Sequence, residues 1–175
     1  MIIRSEFIVW INSGFLSNTQ YSILKFNSSN ETQWSSRFFE LVKKRDFTLK
    51  TAQLFTPQEA NKTLPLVKNI VKDILKTGRR IRELAKTLGK SFDADPEAQA
   101  LLAELREHLT ELENIGCSYK DFNFSVGLVD FPAIIEDQEV LLCWRSDELE
   151  IKYYHDASSG YAGRCPIPKH LLAVE

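Results

Sequence analysis

The chain has 175 residues, 43% of them hydrophobic and 26% charged, with a formal net charge of −2. That is enough for one domain with a real core, or one domain and an appendage, and the near-neutral charge argues against general affinity for nucleic acid or acidic membranes. Cys117, Cys143 and Cys165 are far apart with no CxxC spacing, so the expectation is reduced thiols in a cytoplasmic protein with no metal, no cofactor and no disulfide framework.

Residues 1–46 differ from the rest. They are rich in Ser and Asn, as in "KFNSSNETQWSS", with scattered aromatics. Residues 7–11 and 21–26 are weak strand candidates around Asn12-Ser13-Gly14, and residues 38–44 suit a short helix. The apolar stretch near the start is broken by Asn12 and Ser13, and no small-residue cleavage site follows, so a secretory leader is not expected. No apolar run approaches the roughly 18 residues that suggest a membrane helix.

A helix start is written in "FTPQEAN". Thr56 suits the N-cap, Pro57 the first helical position, and Glu59 the reciprocal capping-box partner, with Phe55 placed as a staple. Pro65 lies inside this helix and removes one backbone donor, which predicts a kink near residues 61–64. Beyond it Val67, Ile74, Ile81 and Leu88 recur every seven residues. Ile70, Thr77 and Leu84 supply the second seam position, and Val71, Gly78 and Ala85 widen the stripe. Gly89 stops the helix and Asp95-Pro96 starts another. Its seams are Ala98, Leu105 and Leu112, then Leu101, His108 and Ile115, ending at Gly116.

A short loop between two such helices predicts an antiparallel hairpin over residues 56–115. Pairing Ile81 with Leu105 and Ile74 with Leu112 puts His108 and Leu109 opposite Thr77 and Gly78, so His108 reads as a seam histidine fitted to a glycine gap. Charge supports the pairing. Residues 62–90 carry nine Lys or Arg against two acids, and residues 93–113 carry seven acids against Arg106. Opposite fields on facing helices favour this arrangement.

The last third alternates with period two. "VLLCW" puts Val140, Leu142 and Trp144 on one face, and "LEIKYYH" puts Leu149, Ile151 and Tyr153 on one face with His155 in phase. A four-residue turn at 146–149 would pair Arg145 with Glu150 and Leu142 with Tyr153. Residues 126–135 form an earlier strand. Pro132 places that strand at an edge or a bulge. "CSYKD" is a candidate fourth strand. The fold class is therefore α+β: a long antiparallel helical hairpin, coiled-coil-like, packed on a small antiparallel β-sheet. A β-meander spans 117–155 and a closing loop and tail span 156–175, in a single domain over 47–175.

The order of "FTPQEANKTLP", "GLVDFPA", "VLLCWR", "YYHD" and "GYAGRCPI" around a helical hairpin resembles the bacterial family of uncharacterised conserved proteins catalogued as domain of unknown function 2203. The resemblance covers about residues 54–168. It implies a domain boundary and marked positions, Asp130, Arg145, His155 and Arg164, but no reaction. The chain departs from the family pattern at Tyr154, where tryptophan is expected, at Glu136-Asp137-Gln138, which lacks a turn glycine, and at Cys165. Family members begin just before "LFTPQEAN", and Met1 is the one methionine in the chain. Residues 1–46 are therefore expected to be either a weakly ordered extension or a start-site artefact, in the second case with translation beginning near Leu49 on a non-AUG codon.

The candidate site is the segment 153–168. His155 is the candidate acid or base and Asp130 the group that orients it, if the first strand neighbours the third. Arg164 is the candidate anion anchor, with Arg145 beside it. Gly160 and Gly163 could allow a nest of backbone N–H groups. The competing reading is a structural network closing the sheet. Cys143 reads as a small buried residue without an activating neighbour. Trp144, Tyr153 and Tyr161 read as core aromatics, with a recognition surface as the rival. Two functions follow. The first is a non-enzymatic interaction or scaffold module that meets a protein partner or a second copy through the hairpin. The second is a small-anion-binding protein or enzyme with its site at the strand ends.

Overall fold

The computed structural model describes residues 53–172. The expectations for residues 1–46 and for a start near Leu49 lie outside that range. In chain order the elements are α1 (Pro57–Leu88), a 3₁₀ turn (Gly89–Ala94), α2 (Pro96–Ile115), β1 (Ser118–Tyr119), β2 (Leu128–Ile135), β3 (Gln138–Arg145), β4 (Tyr153–His155), a 3₁₀ turn (Gly160–Gly163), β5 (Cys165–Pro166) and a short helix α3 (Lys169–Leu172). The chain is thus mixed α+β, with two helices packed on each other and one five-stranded antiparallel sheet in the order β1-β2-β3-β4-β5.

Local chemistry fixes the helix ends. The Thr56 hydroxyl accepts from the Glu59 N–H, and the Glu59 carboxylate accepts from the Thr56 N–H at 2.8 Å, so two orphan donors are satisfied reciprocally. Asp95 caps α2 by accepting from the Ala98 N–H at 2.9 Å, and Gly116 ends it in the left-handed region with φ 99°. The helix continues through Pro65. Phe55 packs edge-on against Phe131 of β2, with centroids 5.4 Å apart.

The helices meet as expected along Ile74, Ile81, Leu105 and Leu112, all fully buried. Thr77 donates to Glu104 and Arg80 pairs with Glu97 across the two helices. The reading of His108 is corrected. The ring that fills the space left by Gly78 is Phe124, whose Cγ lies 2.2 Å from where a Cβ on Gly78 would stand. Val71 is likewise covered by Gly127. His108 is partly exposed beside Glu104 at 3.6 Å. Val71 and Gly78 of the widened stripe thus pack on the chain's own 121–127 segment. Asp121 holds that segment by accepting from the N–H groups of Asn123, Ser125 and Val126.

Pro132 sits in β2 opposite Leu141, beyond the two positions that β1 covers. The Phe55 N–H donates to the Pro132 carbonyl at 2.8 Å, so this residue's backbone groups point away from β3. Its missing donor therefore costs no ladder bond. Between β2 and β3 a two-residue turn holds Glu136 and Asp137 at φ 51° and 62°. Both are left-handed without a glycine.

The β3–β4 register differs from the expected one. Leu141 pairs with His155, Leu142 with Tyr154 and Cys143 with Tyr153, and the connection is seven residues, 146–152, instead of four. The cause is visible in the loop. The Glu148 N–H donates to the Arg145 carbonyl, and Trp144 Nε1 donates to the Glu148 carbonyl. Asn61 on α1 grips both backbone groups of Ile151, and Lys68 donates to the Leu149 carbonyl. Residues 149–152 are bound to the helix rather than laddered to β3. Arg145 accordingly pairs with Asp147, and Glu150 pairs with Lys152, in place of the expected cross-strand Arg145–Glu150 bridge. A one-residue slip reverses faces. Tyr154, not Tyr153, joins Leu142 in the core, and His155 passes to the opposite side of the sheet.

Candidate functional site at the strand ends

That opposite face gathers the polar residues. Asp130 on β2 is directly across from Cys143 on β3, and His155 on β4 lies diagonal to Cys143. All three are buried, and one ligand-type atom from each lies within 4.8 Å of the others. His155 Nε2 is 3.3 Å from Asp130 Oδ1, and Lys120 Nζ is 3.9 Å from Asp130 Oδ2. Asp130 and His155 were expected to meet if their strands were neighbours. They meet instead across β3, because all three side chains share one face.

Hydrogen bonding settles the histidine's orientation. His155 Nδ1 is 2.8 Å from the Asp156 carbonyl, which can only accept, so Nδ1 carries the proton. Nε2 is then left facing a carboxylate. Burial works against the imidazolium, but the Asp130 carboxylate and the Asp156 carbonyl outweigh it, and the His155 pKa rises from its ordinary value. Cys143 goes the other way from activation. Burial pushes its thiol well up, and the Asp130 carboxylate adds to the effect.

Arg164 forms a second cluster. Its side chain is only 10% exposed, and Nη2 donates to both Glu148 oxygens at 2.7 and 2.8 Å and to the Cys143 carbonyl at 3.2 Å. The guanidinium lies over Tyr153 at 4.3 Å and Tyr161 at 4.9 Å. These two tyrosines, expected in the core, are 38% and 41% exposed; only Trp144 of the three aromatics is a core residue. Arg145 reaches the Tyr161 hydroxyl and Asp147 at the rim. Gly160 does take φ 57°, but Gly163 is not among the positive-φ glycines; its need for no Cβ comes from Ser159, 2.4 Å from where one would stand. Asp156 occupies the neighbouring amides itself, accepting from the Ser158 and Ser159 N–H groups.

Sequence reasoning named Asp130, Arg145, His155 and Arg164 but missed three partners. Glu148 neutralises Arg164, Lys120 reaches Asp130, and Cys143 completes the buried trio. The signal for Cys143 was parity: placed opposite Asp130 in the β2–β3 ladder, it must share that residue's face.

Fold and site together define a small α+β protein in which a helical pair backs an antiparallel meander, with an Asp–Cys–His trio buried on the meander's far face and an Arg–Glu lock beside it. The chain belongs to the family described as "Uncharacterized conserved protein (DUF2203)", which matches residues 53–167, as the motifs implied. No curated protein and no solved structure matches it. No helix among the described residues is long and apolar enough to cross a membrane.

Proposed function

We propose that the chain is a non-enzymatic cytoplasmic interaction module, and that its helical pair is a coiled-coil-like arm meeting a second copy of itself. The supporting observation is that the anion anchor, the loop carboxylate and the thiol are each engaged within the chain. Arg164 is held by Glu148, the Asp156 carboxylate caps its own loop, and the Cys143 thiol is buried and disfavoured as a thiolate. What the helical pair offers outward is segregated charge. Lys72, Lys76, Arg79 and Lys86 are exposed along one stripe of α1, and Glu104, Glu107 and Glu111 along one stripe of α2. Two copies related by a two-fold axis would set each basic stripe against the other's acidic one.

Sedimentation of the full chain at low and high salt tests this. Self-association should be present at low salt and weaken as salt shortens the Debye length toward about 8 Å. Reversing Lys72, Lys76 and Arg79 to glutamate should give a monomer. A monomer at every salt concentration overturns the reading.

One observation favours a small-anion site instead: Arg164 Nε is buried without a hydrogen-bond partner. Under that reading phosphate or a carboxylate metabolite raises the melting temperature of the wild type but not of Arg164→Lys. No shift with either class of anion removes it.

A further inference from the structure

We infer that Asp130, Cys143 and His155 form a binding site for a borderline divalent transition-metal ion of the zinc class. An imidazole, a carboxylate and a thiol meet in one buried cluster. Nδ1 of His155 spends its proton on the Asp156 carbonyl, so the ring's remaining lone pair is on Nε2. That nitrogen faces Asp130 Oδ1 at 3.3 Å, and Cys143 sulfur completes a group whose ligand-type atoms all lie within 4.8 Å. Nitrogen, carboxylate oxygen and sulfur thus converge in a buried space on the three strands β2, β3 and β4. Apart from His155 itself, the cationic side chain that reaches the carboxylate among the described residues is Lys120, at 3.9 Å. Either a proton or a cation must sit between Nε2 and Oδ1.

The surroundings are those of a metal ligand set. A ligating histidine is characteristically held by a backbone carbonyl on its other nitrogen, which fixes both tautomer and ring direction. One imidazole, one carboxylate and one thiolate suit zinc or cobalt(II) rather than calcium or magnesium, which prefer oxygen alone. As the ion enters, the Cys143 thiol proton and any proton on Nε2 leave to water, and the sulfur binds as thiolate. The trio holds three ligands, so a tetrahedral ion would keep a fourth position for water or another ligand. No motif in the sequence announces this site, because each ligand comes from a different strand and the spacings of 13 and 12 residues follow from hairpin lengths.

The test uses the full chain stripped with a chelator and titrated with cobalt(II), whose thiolate charge-transfer band reports sulfur ligation directly. The wild type should bind one equivalent, with the band, and zinc should displace it. Cys143→Ser should lose the band, and His155→Gln should lose stoichiometric binding. Cys165→Ser should keep both, and Lys120→Gln should bind more tightly, since an ammonium no longer opposes the ion. Near-UV circular dichroism from buried Trp144 shows whether each variant is folded. Absence of binding by the wild type overturns the inference without recourse to any variant. So does a band that survives Cys143→Ser but vanishes in Cys165→Ser.

Discussion

Gly78→Ala puts the helix's preferences against its packing. Alanine in place of an interior helical glycine is worth about 1 kcal/mol in favour of the helix. Here the new Cβ would lie 2.2, 2.3 and 2.6 Å from three ring atoms of Phe124. Ordinary contact is about 3.5–4.0 Å, so the ring must retreat by more than an ångström. It has little freedom to do so. Phe124 is 1% exposed, stacks on Tyr119 and is held at φ 52° by a loop closed on Asp121. Unseating a buried phenylalanine costs roughly 3–5 kcal/mol if its whole burial is lost. After the helical gain, the net loss should be about 2–4 kcal/mol. That corresponds to a fall in Tm of roughly 8–16 °C for a domain of this size. Urea unfolding followed by far-UV circular dichroism gives the number, with an unchanged slope confirming that stability alone has moved. The decisive arm is the double mutant. With Phe124→Ala already present, Gly78→Ala should become stabilising by about 1 kcal/mol, because only propensity is left. If Gly78→Ala stabilises the protein with Phe124 intact, the ring does not occupy that gap and the account of the helix seam is wrong.

Three further outcomes follow from the same structure. Asp137→Gly should raise stability by about 1 kcal/mol in urea melts, since Glu136 and Asp137 both hold positive φ in a two-residue turn that favours glycine; a loss of stability refutes the strain. Asn61→Ala should cost roughly 2–4 kcal/mol by orphaning the N–H and carbonyl of fully buried Ile151, and hydrogen exchange at Ile151 should rise selectively; unchanged protection there refutes the clamp. Arg164→Ala should cost about 3 kcal/mol by leaving the part-buried Glu148 carboxylate without its cationic partner. Arg164→Lys should recover little of it, because an ammonium cannot serve two carboxylate oxygens from between two rings. Full recovery by lysine would show that charge alone matters.

The helical half of the protein was legible because its information is local. The capping box at Thr56 and Glu59, the cap at Asp95 and the stop at Gly116 depend on residues three or four apart. The heptad spacing of Ile74, Ile81, Leu105 and Leu112 identified the seam without reference to anything else. What filled Gly78 was not local. Sequence could say that a gap existed, but Phe124 reaches it from a loop some forty-six positions on, and no periodicity marks that residue. The fifth strand, Cys165–Pro166, was equally silent, being two residues long and bonded to β4 by tertiary placement alone.

The sequence by itself determined that two amphipathic helices precede an alternating sheet, which residues are apolar, and that Asp130, His155, Arg145 and Arg164 are the chemical resources near the strand ends. The tertiary structure decided what those resources face. Asn61, Lys68 and Glu148 draw residues 146–152 into a longer connection, and the β3–β4 register shifts by one. Because strand side chains alternate with a period of two, that single residue carries His155 from the hydrophobic side to the side of Asp130 and Cys143. Periodicity reports that a strand has two faces; only the contacts that set its register choose which face meets which neighbour.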